Sequence, residues 1–296
     1  MNDSFYLLRE QNPHGTVLFP FMIHQLETDG SLRERVPCHW HEEIEILMVT
    51  RGSAQIAVDE RSYRIKEGDI IFIGSNSLHS VKEELGAPFD FWAIDFQQAF
   101  LNSFVNDVVQ QQYFDSVKNH KVIFREYLSP TEQWERKIQT LLKEIQGVFT
   151  QKIKGYELLI KAKLYEIWYL YYAHAEQENR EAVEHSYDKV AVAKAVIAYI
   201  QEHYNSSISL VELSGAFHVS EGHLCRLFKT VTKMSVIEYI NFYRISISAK
   251  LLGETRREIG EVAGMVGFNN ISYFNKVFRK YMQITPSEFR HNADSR

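Results

Sequence analysis

The sequence predicts a multidomain α+β protein: an N-terminal β-barrel, a helical segment, and a C-terminal all-α domain with two helix-turn-helix motifs. Three observations predict it. The C-terminal third contains the same unit twice. Short apolar runs separated by turn residues crowd the N-terminal third. Between them the apolar spacing switches from two residues to three and four. The expected boundaries are 1–125 for the barrel, 126–176 for the helical segment, 177–187 for a linker and 188–296 for the all-α domain.

A chain of 296 residues, 45% hydrophobic and 13% aromatic, is long enough for two globular cores. The N-terminal stretch Met1–Glu10 shows no basic region followed by an apolar run, so no secretion signal is expected. The apolar stretch Ala191–Ile200 is broken by Lys194 and too short to span a bilayer, so no membrane association is expected. Cys38 and Cys225 fall in different predicted domains, which fits a reducing cytoplasm rather than a disulfide framework.

The strands come first. Residues 43–49 (EIEILMV) and 54–58 (AQIAV) alternate, and Asp69-Ile70-Ile71-Phe72-Ile73 is an apolar run between Gly68 and Gly74. Helical spacing then begins. Trp134, Ile138, Leu141, Leu142 and Ile145 share one face of a first helix; Leu158, Leu159, Ala162, Tyr165, Trp168 and Tyr169 mark a second. Two broad apolar faces need partners, and the barrel and a second protomer are the candidates. Residues 177–187 are polar and without period, hence the expected linker.

The repeat follows. Leu213-Ser214, Leu224–Lys229 and Ser235–Tyr239 recur as Val262-Ala263, Phe274–Arg279 and Thr285–Phe289, at offsets of 49, 50 and 50 residues. Four helix starts carry Ser/Thr-x-x-Glu: Ser209/Glu212, Ser235/Glu238, Thr255/Glu258 and Thr285/Glu288. In such a box the hydroxyl accepts a backbone N–H one turn in and the carboxylate bonds back to the cap. Pro286 stands at a first helical position, where its missing N–H costs nothing. About seven helices are expected. Residues 188–296 carry 14 basic and 10 acidic side chains, and the remainder 19 and 28. The basic half is the half with the repeat, so a polyanion is its expected partner.

The run Ile259–Phe268 (IGEVAGMVGF), followed by Ser272-Tyr273-Phe274, Phe278-Arg279-Lys280 and Thr285–Arg290 (TPSEFR), resembles the C-terminal signature of the AraC/XylS family of bacterial transcription regulators. The resemblance covers residues 188–290. It departs at Gly260 and Gly264, inside a helix, and at Ser248, where alanine is common. It implies that the second helix of each motif enters a DNA major groove, N-terminal half toward the base edges. The candidates are Ser220, Glu221, His223, Arg226 and Lys229 in the first copy. In the second they are Asn270, Ser272, Tyr273, Asn275, Lys276, Arg279 and Lys280. Arg and Asn suit bidentate reading of guanine and adenine. Lys229, Arg279 and Lys280 suit phosphate. A long joining helix from Ile237 to Leu252 is expected to hold the two readers roughly 34 Å apart, one DNA turn.

His39-Trp40-His41-Glu42-Glu43-Ile44-Glu45 with Gly52 resembles the first cupin motif, and Gly68–His79 the second. Gly74 and Asn76 stand where that family usually has Pro and Gly, and Glu83 where it has Asn. His39, His41 and Glu45 are expected on one barrel face, with His79 approaching from a facing strand. The resemblance leaves two uses open. His39, His41, Glu45 and His79 suit a divalent transition metal. The same cavity, with Trp40, Phe91 and Trp92 as aromatic faces, suits a small-molecule effector, and the family points to a sugar or sugar derivative.

The function implied is that of a cytoplasmic, homodimeric DNA-binding regulator, an activator contacting RNA polymerase at promoter DNA and controlled by an effector in the barrel. No catalytic residue is assigned. The alternative is a metal-dependent cupin enzyme fused to a DNA-binding domain.

Overall fold

The computed structural model describes residues 14–26, 34–83, 88–103, 105–119, 121–175 and 180–294. The stretch Met1–Glu10 and positions 177–179 of the expected linker lie outside the described residues. The chain forms two compact units, divided between Tyr187 and Asp188.

The first unit is built on β1 (Phe21–Leu26), β2 (Glu34–His39), β3 (Ile44–Arg51), β4 (Ser53–Val58), β5 (Arg61–Lys66), β6 (Ile70–Ile73), β7 (His79–Glu83) and β8 (Asp90–Phe96). A short helix α1 (Asp115–Lys118) and a two-residue strand β9 (Tyr127–Leu128) follow. The strands make two antiparallel sheets, ordered β1-β8-β3-β6-β9 and β2-β7-β4-β5. The expected barrel is therefore two sheets packed face to face. Tyr127 and Leu128, read as part of the helical segment, instead pair with Ile71 and Ile70 at a sheet edge.

Strand β3 is apolar at every position from Ile46 to Val49 because both of its faces are covered there. Leu47 and Val49 pack between the sheets with Ile56, Val81 and Ala93. Ile44, Ile46 and Met48 face the other way, with Ile94 and Phe96, and pack against helices α2 (Gln133–Gln151) and α3 (Tyr156–Ala173). These helices run antiparallel, joined by a Lys163–Glu144 ion pair and by Lys137 Nζ to Glu166 Oε1 at 3.1 Å. The expected face of α2 is buried throughout. The face of α3 is corrected: Ile160, Leu164, Ile167, Trp168 and Tyr171 are buried, while Leu158 and Tyr169 are 76% and 66% exposed. Helix α3 is apolar around most of its circumference, so its spacing alone does not say which side the sheet covers.

The second unit is all helical. Its elements are α4 (Arg180–His203), α5 (Leu210–Ala216), α6 (Glu221–Thr232), α7 (Val236–Glu254), α8 (Ile259–Met265), α9 (Ile271–Met282) and α10 (Pro286–Asp294). Residues 180–187, expected as irregular linker, are the first turns of α4.

The repeat holds at the level of backbone geometry. Ser220 and Asn270 cap α6 and α9 and accept from the N–H of His223 (3.3 Å) and Tyr273 (2.9 Å). Left-handed residues recur at His218 and Gly267, and again at Lys233 and Gln283. The boxes Ser235–Glu238 and Thr285–Glu288 are both formed reciprocally. Of the other two, Ser209 caps α5 but Glu212 accepts from the Tyr199 hydroxyl instead. Thr255 is no N-cap: it closes the end of α7 by donating to the Leu251 carbonyl, and Glu258 precedes α8. The chain leaves one helix there and needs three more residues before the next begins.

Candidate nucleic-acid interface and buried polar cluster

Helices α6 and α9 each bury one side and expose the other. Leu224, Leu227 and Phe228 face inward in the first, and Phe274, Val277 and Phe278 in the second. The i, i+3, i+4 spacing makes this unavoidable and leaves the remaining positions to solvent. All twelve candidates are exposed: Ser220, Glu221, His223, Arg226 and Lys229, then Asn270, Ser272, Tyr273, Asn275, Lys276, Arg279 and Lys280.

Three of them carry a structural task as well. The Ser220 and Asn270 oxygens each accept a cap hydrogen bond, which fixes the Asn270 amide against the start of α9. The Tyr273 hydroxyl accepts from Asn241 Nδ2 at 3.0 Å, tying α9 to α7. Asn275, Lys276 and Arg226 have no such duty and remain the side chains suited to base edges. Thr230 is also exposed on α6, a position the sequence reading passed over.

Helix α7 braces both motifs. Tyr239 packs its ring 5.8 Å from Phe228, and the Tyr281 hydroxyl donates to the Glu238 carbonyl at 3.2 Å. Arg244 donates to the carbonyls of Tyr204 (2.8 Å) and Ser206 (2.7 Å) and lies over the Phe268 ring. Gly267, at φ +87°, sits against this arginine: a Cβ there would stand 2.6 Å from the Tyr204 carbonyl oxygen. Only glycine fits.

In the first unit, a cluster of imidazoles and carboxylates occupies one end of the space between the sheets. The β2–β7 register places His39 opposite His79, with ring centroids 4.1 Å apart. Period two carries Glu45 to the inner face of β3, and the β3–β8 register sets Asp95 directly across from it. His41, Glu45, His79 and Asp95 are buried. His41 Nδ1 donates to the Glu43 carbonyl (3.2 Å) and His79 Nδ1 to the Ser77 carbonyl (2.9 Å). Both rings therefore turn Nε2 to one oxygen, Glu45 Oε2, at 3.3 and 3.1 Å.

Burial alone would raise the Glu45 carboxyl. The hydrogen bond from His41, the close approach of His79 Nε2 and the charge of both rings hold it well below the ordinary carboxylate value. His39, His41 and His79 bring ring nitrogens within 4.8 Å of one another. Carbonyl acceptors on the far nitrogen are what orients an imidazole toward a metal, so the four residues fit a divalent transition metal.

Of the aromatic candidates, Trp40 is half-buried beside the cluster in sequence, and Phe91 lies in the apolar filling between the sheets. Trp92 is a correction. It is buried on the opposite face of β8, in the core under α2 and α3, because successive strand residues alternate sides. The sequence reading missed His14, His24, Glu43 and Asp95, all of which join the cluster.

The AraC-like ligand binding domain matches residues 26–168, and a helix-turn-helix domain matches residues 213–292. The chain belongs to the AraC family. It is an AraC-family DNA-binding transcription regulator with a ligand-binding domain. It is similar to the uncharacterized HTH-type transcriptional regulator YdeC of Bacillus subtilis, 28% identical over 96% of both chains. It is also similar to the HTH-type transcriptional activator RhaR of Enterobacter sp., 26% identical over 86% of this chain and 87% of that one. Among solved structures, ToxT of Vibrio cholerae aligns over 92% of this chain and 98% of its own, at 17% identity and a TM-score of 0.41.

Proposed function

We propose that this AraC-family chain is an effector-controlled activator that binds promoter DNA through α6 and α9 and its effector through the polar cluster of the β unit. The observation that carries the reading is the cluster itself: buried histidines and carboxylates in an interior otherwise filled by apolar side chains. Buried polar groups are costly unless hydrogen-bonded or paired, and apolar residues would fill the space at less cost if nothing used them. Donors and acceptors on opposing strands suit a polyhydroxylated molecule, a sugar or sugar derivative. His39, His41, Glu45 and His79, with Trp40 beside them, are its contacts; Trp92 drops out.

In the DNA-binding unit, Arg226, Asn275 and Lys276 read bases, with Glu221, His223 and Ser272 at the groove edge. Lys229, Arg279 and Lys280 hold phosphates. Activator function is supported by the similarity to the transcriptional activator RhaR, and contact with RNA polymerase would follow from it. The exposed Leu158 and Tyr169 on α3 support a homodimer formed through the helical layer. We place the protein in the cytoplasm; no described helix is long and apolar enough to cross a membrane. Effector binding shifts the population of dimer arrangements that present the two DNA-binding units.

The test is chromatin crosslinking and sequencing in the host, with and without candidate sugars. Paired half-sites beside a catabolic or transport operon, with occupancy or expression changed by one sugar, support the reading. Diffuse occupancy without a shared motif overturns it. The histidine and Glu45 arrangement favours one second reading, a metal-dependent cupin enzyme joined to a DNA-binding domain. That reading requires turnover of a substrate that His41→Ala abolishes.

A further inference from the structure

Beside the four cupin-type residues lies a second triad. His24 is on the inner face of β1, two positions along from Met22, which pairs with Asp95. His24 and Asp95 are thus diagonal neighbours on one sheet face. His14 reaches them from the segment before β1. Gly15, at φ +92°, turns the chain there so tightly that a Cβ would lie 2.5 Å from the Phe19 oxygen.

The three ligand atoms form a closed triangle. His14 Nδ1 is 2.8 Å from His24 Nε2, His24 Nε2 is 2.9 Å from Asp95 Oδ2, and His14 Nδ1 is 3.4 Å from Asp95 Oδ2. Each ring nitrogen either donates or accepts, and an ionised carboxylate oxygen only accepts. A triangle of such atoms has at most two attractive edges, whatever the tautomers. Either two lone pairs or two N–H groups must face each other. A cation at the centre makes all three contacts attractive.

The size fits. Ligands bound about 2.0–2.2 Å from one ion at roughly 90–109° stand about 2.8–3.4 Å apart, the range of these edges. The charge fits too. Asp95 is 2% exposed, its Oδ1 accepts no hydrogen bond among the described residues, and the buried Glu45 stands across from it in the sheet. Two neighbouring buried carboxylates call for positive charge. The His24 side chain is 48% exposed, which leaves a route for the ion.

We propose that His14, His24 and Asp95 bind a divalent transition-metal ion at a position distinct from the His39, His41, His79 and Glu45 set. The site stands whether or not the ion takes part in regulation.

The test is cobalt(II) loading of the untagged full-length protein, followed by dialysis and visible spectroscopy. Wild type is expected to retain cobalt with ligand-field bands. His24→Cys, at a half-exposed position, is expected to retain it and add an intense thiolate-to-cobalt charge-transfer band absent from wild type. Combined with His24→Cys, Asp95→Asn is expected to abolish that band, whereas His39→Gln, a change to the neighbouring set, leaves it in place. No retained cobalt in wild type, no new band in His24→Cys, a band that survives Asp95→Asn, or a band lost with His39→Gln would each overturn the proposal.

Discussion

The two helix-turn-helix copies share a backbone and differ in surface chemistry. Caps, left-handed residues and buried faces recur at offsets of 49 or 50 residues. The exposed side of α6 presents Glu221, His223, Arg226 and Lys229; that of α9 presents Asn275, Lys276, Arg279 and Lys280. One framework therefore carries a mixed-charge surface and a basic one. The framework residues are constrained by packing and capping, while the solvent-facing residues are free to specialise. On the proposed reading, phosphate grip is concentrated in the second copy.

Four experiments probe how far the two copies are equivalent. The largest effect is expected from the core. Phe228 and Phe278 occupy equivalent, fully buried positions. Truncating either to Ala should cost about 3–5 kcal/mol in denaturant unfolding. A large inequality between the two would show that the copies are not energetically equivalent.

Next come the left-handed turns, where the copies differ. Gly267→Ala introduces both backbone strain and a clash with the Tyr204 carbonyl, and should destabilise by more than about 1 kcal/mol. His218→Gly, at φ +54°, removes strain and should stabilise by about 1 kcal/mol. Equal signs in a thermal melt would refute the assigned role of these turns.

The third concerns DNA. Arg279→Ala should weaken binding to every sequence and reduce the salt dependence by about one counterion. Arg226→Ala should cost about 1–3 kcal/mol and relax preference at one base pair. Binding titrations at several salt concentrations separate the two patterns. If both variants behave alike, the division between grip and reading is wrong.

The smallest effect is in acid. Backbone and side-chain hydrogen bonds from Ser235 and Thr285 hold the Glu238 and Glu288 carboxyls below their ordinary values. Their stabilisation is present above the unfolded carboxylate pKa, about 4.3, and is lost as pH falls through the folded values. Melts followed across that range should show matching losses in the two copies. Glu238→Gln and Glu288→Gln should each remove part of the acid dependence.

The helical unit was the more legible half. The buried faces of α6 and α9, the caps at Ser220 and Asn270 and the reciprocal boxes at Ser235 and Thr285 involve residues within one or two turns of each other. Thr255 misled for the same reason: its pattern matched a box, but the helix before it still claimed its hydroxyl. In the β unit, motif spacing pointed to His39, His41, Glu45 and His79. It was silent on His14 and His24, whose shared neighbour Asp95 lies far along the chain.

The sequence alone determined what depends on near neighbours: strand parity, the buried faces of α2, α6 and α9, the reciprocal boxes at Ser235 and Thr285 and the repeat, because backbone hydrogen bonds and side-chain periodicity act over a few residues. Tertiary structure decided what depends on which strands meet. The pairing of β1 with β8 brings His24 to Asp95, and the docking of α2 and α3 decides that the Trp92 face of β8 is the helix-covered one and leaves Tyr169 exposed. Strand order and helix docking are settled by burying apolar surface across the whole unit, a sum that no local pattern records.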